Sequence, residues 1–286
     1  MTAPRLYLAS ASPRRRELLA RLGVPYSVGV APLDEAAEQM AYTGPVAGLA
    51  EYLARAKARS ALAAPFPTVL AAPAAAADPA HPAHPAHPAH VADSADVVDI
   101  APSRDLAVVD ASADPVGPAL VLAADTTVLL AGRVLGKPAD PDEAVRMLRA
   151  LRAREHAVVT AVALGVAPSS DDPATMSTGG DPPAAIRAIS VSTRVRMRDY
   201  TDDEIATYVA SGDPLDKAGA YGVQHPTFRP VAAIAGCYTS VVGLPLCATA
   251  ALLTVAGLPP LASLEPADAT ESPGPCPFAA RCRPPL

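Results

Sequence analysis

Tryptophan is absent from this chain, phenylalanine and lysine occur three times each, and none of the four cysteines belongs to a CxxC pair. Each shortage removes a class. Cys237, Cys247, Cys276 and Cys282, so spaced, indicate neither a zinc ribbon nor a disulfide framework, and a reducing cytoplasm is the expected compartment. The start MTAPRLYLASA ends like a signal-peptidase site, but its apolar run is shorter than the ~7–15 residues of a secretory core segment, and arginines follow it. A formal net charge of -6 and a pI near 5.5 argue against the extended basic face of a protein that coats a nucleic-acid polymer. Any basic cluster therefore serves a small anion.

Common enzyme fingerprints are missing as well. GRVLGKP places three residues between Gly132 and Gly136 where a P-loop has four, and Pro138 stands where that loop needs Ser or Thr. No glycine fingerprint opens a helix after a strand, and neither a GxSxG elbow nor an HExxH pair occurs. Residues 231–264 carry no charge and include VVGLPLCATAALLTVAGL, close to the ~18 residues at which membrane spanning begins. Pro245, the glycines, Thr249 and Thr254 interrupt that run, so a buried strand and turn followed by a core helix is expected, with no membrane partner.

What is present is uneven. Residues 65–118 are rich in Ala, Pro and Asp and contain AHPAHPAHPAH, a composition that buries too little apolar surface to offset ordering entropy. His81, His84, His87 and His90 would stand ~9 Å apart in polyproline II, too far for neighbours to share one zinc. A disordered insertion at about 65–118, a loop at about 168–183 and a disordered tail at 265–286 are expected, within one domain spanning 1–264.

The remaining segments alternate between strand and helix patterns. Leu6 to Ala9 read as a strand, Ser12 as an N-cap, Pro13 as a first helical residue, and Leu18, Leu19 and Leu22 as one buried face. LVLAADTTVLLAG reads as a buried strand, ADPDEAVRMLRAL as a helix, HAVVTAVALGV as a strand and TDDEIATYVAS as a helix capped by Thr201. The fold class is α/β.

Two features point to chemistry. Arg14, Arg15 and Arg16 crowd a helix start, where the backbone already disfavours cations by ~0.3–1 kcal/mol each, and an anion reverses that sign. A strand, a serine-rich turn and a helix start form a phosphate cradle to which Ser10 and Ser12 add donors, although a solvated basic turn would read the same way. Asp125 interrupts an apolar strand and needs a metal ion or a hydrogen-bonded network, or else caps a turn. The three lysines, Lys57, Lys137 and Lys217, lie in RAKARSA, LGKPADP and PLDKAGAYGVQ, and a compact ammonium suits single phosphate oxygens. Together these suggest a polyphosphate held at several separate oxygens.

Several segments, taken in order, resemble the Maf family of nucleoside triphosphate pyrophosphatases: LYLASASPRRRELLARLG, Leu33-Asp34-Glu35, EYLARAKARSA, LAADTTVLLAGRVLGKPADPDEAVRML, DDEIATYVASGDPLDKAGAYGVQ and GCYTSVVGLPL. The resemblance implies a single α/β domain with an elongated, curved mixed sheet, helices packed on it and a cleft between two lobes. It implies hydrolysis of a nucleoside triphosphate to the monophosphate and pyrophosphate, with Asp125 as proton acceptor and Arg14, Thr126 and Gln224 setting base selection. PRR, ADT and YGVQ look like the branch acting on dTTP and UTP, a house-cleaning role for which modified pyrimidine nucleotides are further substrates. HPTFRPVA after Gln224 replaces a glycine-rich turn usual in the family, and Cys237 stands where Ser is usual.

On that basis Asp125 is the expected general base, Glu35 and Asp125 hold Mg²⁺ or Mn²⁺, and Ser10, Arg14, Arg15, Lys57, Lys137 and Lys217 neutralise the phosphates. The rival reading is a nucleotide-binding regulator of septation without turnover, which needs the cations but no base. The expected partner is the nucleotide, and a homodimer is compatible with the pattern.

Overall fold

A computed structural model describes residues 4–64, 119–167 and 185–259. The insertion at 65–118, the loop at 168–183 and the tail at 265–286 lie outside the described residues.

The first half-turn of the fold follows from local chemistry. Strand β1 (Arg5–Ala9) runs into helix α1 (Pro13–Ala20), whose N-cap Ser12 accepts from the Arg15 amide and whose first residue is proline. The chain leaves α1 through Gly23 at φ +67° and returns as β2 (Tyr26–Gly29), parallel to β1, so β1-α1-β2 is a crossover unit. Helices α2 (Glu35–Ala41) and α3 (Leu49–Ala63) follow.

Three strands of 12 residues form the body of the sheet: β3 (Ala119–Leu130), β5 (Glu155–Val166) and β6 (Ile186–Met197). Between the first two, β4 (Arg133–Leu135) pairs back on β3 through Ala131 and Gly132, both at positive φ as a tight two-residue hairpin requires. Helix α4 (Pro141–Leu151) is capped by Asp140, and α5 (Asp202–Ala210) by a reciprocal Thr201–Glu204 capping box. The uncharged stretch becomes β7 (Val231–Ala235), α6 (Tyr238–Val242) and α7 (Leu246–Val255), and no helix among the described residues is long and apolar enough to cross a membrane.

Among the described residues the result is one seven-stranded mixed sheet in the order β2-β1-β3-β5-β6-β7, with β4 beside β3 and seven α-helices packed on it. β1 is parallel to both neighbours, and every pairing from β3 onward is antiparallel. The long strands pass through separate cores at their two ends. Near one end Leu120, Leu122, Val162 and Leu164 pack with Leu18 and Leu19 of α1 and Leu252 and Leu253 of α7. Near the other, Val128, Val158, Val195 and Met197 pack with Leu148 and Leu151 of α4 and Ile205 and Tyr208 of α5.

A third cluster sets the distance that matters most. Ala50, Ala54 and Ala58 of α3 lie on Ala123, Ala161 and Ala163 of the sheet. Methyl-sized side chains on both surfaces let the helix backbone come close to the strands, so a lysine on α3 reaches into the sheet. The edge of β3 is also broken at this level. β1 pairs with it as far as Leu122 and β4 pairs with it only from Val128 onward, so among the described strands none covers that edge in between. Asp125 and Thr126 sit in this gap.

Cys237 is a buried thiol whose Sγ lies 3.3 Å from Thr239 Oγ1, and Cys247 is disulfide-bonded, which the spacing of the cysteines did not indicate.

Candidate active site

Because side chains alternate along a strand, Asp125 and Thr126 point to opposite faces of the sheet at the gap in β3. Each face carries its own network.

On the α3 face, Lys57 Nζ donates to Asp125 Oδ1 at 2.6 Å and lies 3.1 Å from Glu35 Oε2. Three elements therefore meet at one ammonium: α3, β3 and the first residue of α2. The lysine and aspartate side chains are about a tenth exposed, whereas Glu35 is half exposed (9%, 10% and 52%). That asymmetry divides two carboxyls sharing a partner. Burial pushes Asp125 above the ordinary carboxylate range, and Lys57 and Arg15 recover only part of that cost. Burial acts on Glu35 too, but Lys57, with smaller help from Lys137 and Arg15, holds it below its ordinary value. Lys57 takes Oδ1, which leaves Asp125 Oδ2 for a water.

On the other face Arg15 is the organiser. Its Nε donates to the Gly243 carbonyl at 2.9 Å, and its terminal nitrogens reach Ser10 Oγ and Thr126 Oγ1, both at 3.4 Å. Burial lowers the Arg15 pKa and Arg14 beside it lowers it further, while Asp125 and Glu35 act against this. Ser10 Oγ also accepts from the Ser12 amide at 3.2 Å, so its own proton remains for a ligand. Gly243 closes α6 at φ +125°, a conformation that calls for glycine, while a Cβ there would make only ordinary contacts, 3.6 Å from both Arg15 Nε and Thr126 Oγ1.

The remaining expected site residues are placed differently. Lys137 is exposed just beyond β4 and acts on Glu35 through its field. Gln224 is exposed and hydrogen-bonds Tyr238, the first residue of α6. Lys217 is buried, and its ammonium donates to the Asp213 carbonyl, Asp213 Oδ1 and Asp216 Oδ1 at 2.7, 2.8 and 2.7 Å. All three protons are used, so a phosphate reaching Lys217 has to displace one of those oxygens. The structure thus gathers Ser10, Arg15, Glu35, Lys57, Asp125 and Thr126, with Arg14 next to Arg15 on α1, and holds Lys217 in a separate network.

Among the described residues no group of three or more His, Cys, Asp or Glu side chains is arranged to hold a metal ion. Glu35 and Asp125 nevertheless already share one cation, the Lys57 ammonium, so their oxygens converge on a position suited to positive charge. Two carboxylates fit a hard ion that keeps several waters and takes further oxygens from a substrate phosphate, and do not fit an ion caged by protein alone.

Two contributors escaped the sequence reading. Thr160, wholly buried on β5 opposite Thr126, is a polar residue in an apolar run, the same signal that singles out Asp125. The Gly243 carbonyl has no side-chain signature at all.

A family model described as Maf-like protein matches residues 5–256. A dTTP/UTP pyrophosphatase of Moorella thermoacetica is 37% identical over 254 residues, covering 89% of this chain and 96% of that protein. Proteins of the same name from Ralstonia nicotianae and Thermomicrobium roseum are 38% and 36% identical over 255 residues, covering 89% of this chain and 95% and 85% of theirs.

Proposed function

The chain belongs to the Maf-like family, and we propose that it is a dTTP/UTP pyrophosphatase, hydrolysing these nucleotides to the monophosphate and pyrophosphate as a house-cleaning enzyme of the nucleotide pool. The observation that carries this reading is the buried Asp125 carboxyl, raised by burial and held at one oxygen by Lys57, at a sheet edge lined with cations. A protein that only bound nucleotide would have no use for a base there, and nothing favours the rival regulator.

The reaction needs a water in line with the leaving pyrophosphate, a base for its proton and positive charge around the phosphates. Asp125 takes the proton at Oδ2, and burial brings its affinity for a proton closer to that task than an ordinary aspartate's. Lys57 fixes the carboxyl's orientation through Oδ1. Arg15, held by Gly243, together with Arg14, Lys137 and the Ser10 hydroxyl, meets the triphosphate at the N-terminus of α1. Glu35 and Asp125 would hold Mg²⁺ or Mn²⁺, which supplies charge neutralisation at the phosphate oxygens when bound. Arg14, Thr126 and Gln224 face the choice of base.

Incubation of the full chain with dTTP, UTP and other triphosphates in Mg²⁺ or Mn²⁺, with separate assay of pyrophosphate and orthophosphate, tests the proposal. Pyrophosphate with the monophosphate is expected, abolished by EDTA. Orthophosphate as the sole early product refutes it.

A further inference from the structure

Most serine and threonine hydroxyls rotate freely and offer a ligand either a proton or a lone pair. Thr126 does not have that freedom. Thr160 Oγ1 lies 2.6 Å from the Ser240 carbonyl, and a carbonyl can only accept, so the Thr160 proton is committed there. The 3.0 Å contact between Thr126 Oγ1 and Thr160 Oγ1 then has one possible direction, with Thr126 as donor. Arg15 Nη2 donates to Thr126 in turn, since a guanidinium has no lone pair to offer. The chain of protons runs one way, from Arg15 through Thr126 and Thr160 to the Ser240 backbone, and its inner members are completely buried. Ser240 cannot reverse it, because the atom concerned is its carbonyl oxygen and its hydroxyl is occupied separately with Cys237 and Thr193.

Thr126 therefore meets the gap in β3 only as an acceptor. A phosphate oxygen, itself an acceptor, is repelled at that spot and left to the Arg15 and Lys57 surroundings. A ligand atom that bonds to Thr126 must be a donor. Resting on the reading of the site as one for dTTP and UTP, we infer that Thr160 is a positioning residue for base selection: it turns the Thr126 hydroxyl so that its lone pair receives the ring N3–H of uracil or thymine. N3–H is the only donor on the pairing edge of either base. Cytosine presents a lone pair at the same position, so two acceptors would face each other and CTP is disfavoured.

Equilibrium dialysis of UTP, CTP and N3-methyl-UTP against the full chain, with EDTA present to hold off turnover, tests this. One ordinary hydrogen bond won or lost corresponds to roughly a tenfold ratio in affinity. The wild-type chain is expected to prefer UTP by about that factor over both other nucleotides. Thr160→Val keeps the shape but frees the Thr126 proton to rotate outward, and should bring the UTP to CTP ratio close to one. Thr160→Ser restores the relay and should restore the preference, which a merely structural role for the residue would not require. Equal binding of UTP and N3-methyl-UTP by the wild-type chain would place a ribose hydroxyl at Thr126 and overturn the inference, and it does not depend on any variant folding. A ratio unchanged in Thr160→Val overturns it as well, while pyrophosphate release from UTP would leave the proposed reaction standing. The converse result, selective binding that collapses in Thr160→Val without any pyrophosphate release, upholds the inference and fails the reaction.

Discussion

Two buried lysines in this molecule have the same surroundings in name and opposite roles in physics. Lys57 and Lys217 are each 9% exposed, and each is flanked by two carboxylates. The partners of Lys217 lie one and four residues away, on a 3-10 turn at Asp213–Asp216, and the backbone carbonyl of Asp213 supplies a third oxygen. Tyr208 of α5 donates to the other Asp213 oxygen at 2.6 Å and accepts from the Gly222 amide at 2.9 Å, so the whole group closes a turn onto a helix. The partners of Lys57 come from α2 and β3, elements far apart in sequence, and they leave the ammonium and one carboxylate oxygen facing a gap in the sheet. Local saturation makes a lock, whereas convergence from distant elements with valence left over makes a site. The pKa directions agree: Asp125 is raised by burial, while Asp213, despite some burial, is held low by Lys217 and Tyr208.

The most direct way to break this contrast is at the two aspartates. Asp125→Asn keeps the side-chain size but removes both the proton acceptor and a charge for the metal. Turnover of dTTP and UTP should fall by at least ~10²–10⁴-fold, with nucleotide binding still measurable in equilibrium dialysis. Near-normal turnover would make Asp125 another turn residue and erase the difference between the two sets.

The lysines come next. Lys57→Met leaves Asp125 and Glu35 facing each other without their shared cation, which raises Asp125 further and frees its orientation. A loss in kcat on the order of 10²-fold is expected, with the acid limb of the pH-rate profile moved upward. Lys217→Met removes three hydrogen bonds from a turn, so its main effect should appear in thermal unfolding, as about 2 kcal/mol or several degrees in Tm. Its turnover per folded molecule should stay within about threefold of wild type. A large rate loss at unchanged Tm would instead mean that substrate displaces Asp213 or Asp216 and draws Lys217 onto a phosphate.

What the sequence revealed of all this follows the same division. The helix starts at Ser12 and Thr201 were legible because capping is local, and Asp125 stood out because a charge in an apolar strand is anomalous by itself. The lysines were noticed for their scarcity, which does not separate a lock from a site; that distinction depends on which oxygens surround them in space. The alanine seam under α3, the gap between β1 and β4 along β3, and the one-way relay through Thr160 depend on register between strands that are distant in sequence. No local pattern encodes them.

The finest difference lies in how the two aspartates respond to pH. Asp213 has a depressed pKa in the folded chain, so the stability it contributes is present above the unfolded value and is lost as pH falls through the lower, folded one. Asp125 has a raised pKa, so its favourable contribution is present below the unfolded value and is lost as pH rises through the higher, folded one. Their amide variants should therefore diverge from wild type in opposite senses. Asp213→Asn should cost most near neutral pH, and its deficit in Tm should shrink as the solution is acidified. Asp125→Asn should match wild type most closely in acid and gain on it toward neutrality, because the amide never has to ionise in a buried site. Thermal melts of the three proteins across the acid-to-neutral range would show this as two difference curves of opposite slope, each amounting to ~1 kcal/mol or less. If the Asp125→Asn curve instead falls toward neutrality, then Lys57 stabilises the Asp125 carboxylate by more than burial costs it. In that case the set of charges at the gap in β3 is a structural ion pair like the one around Lys217.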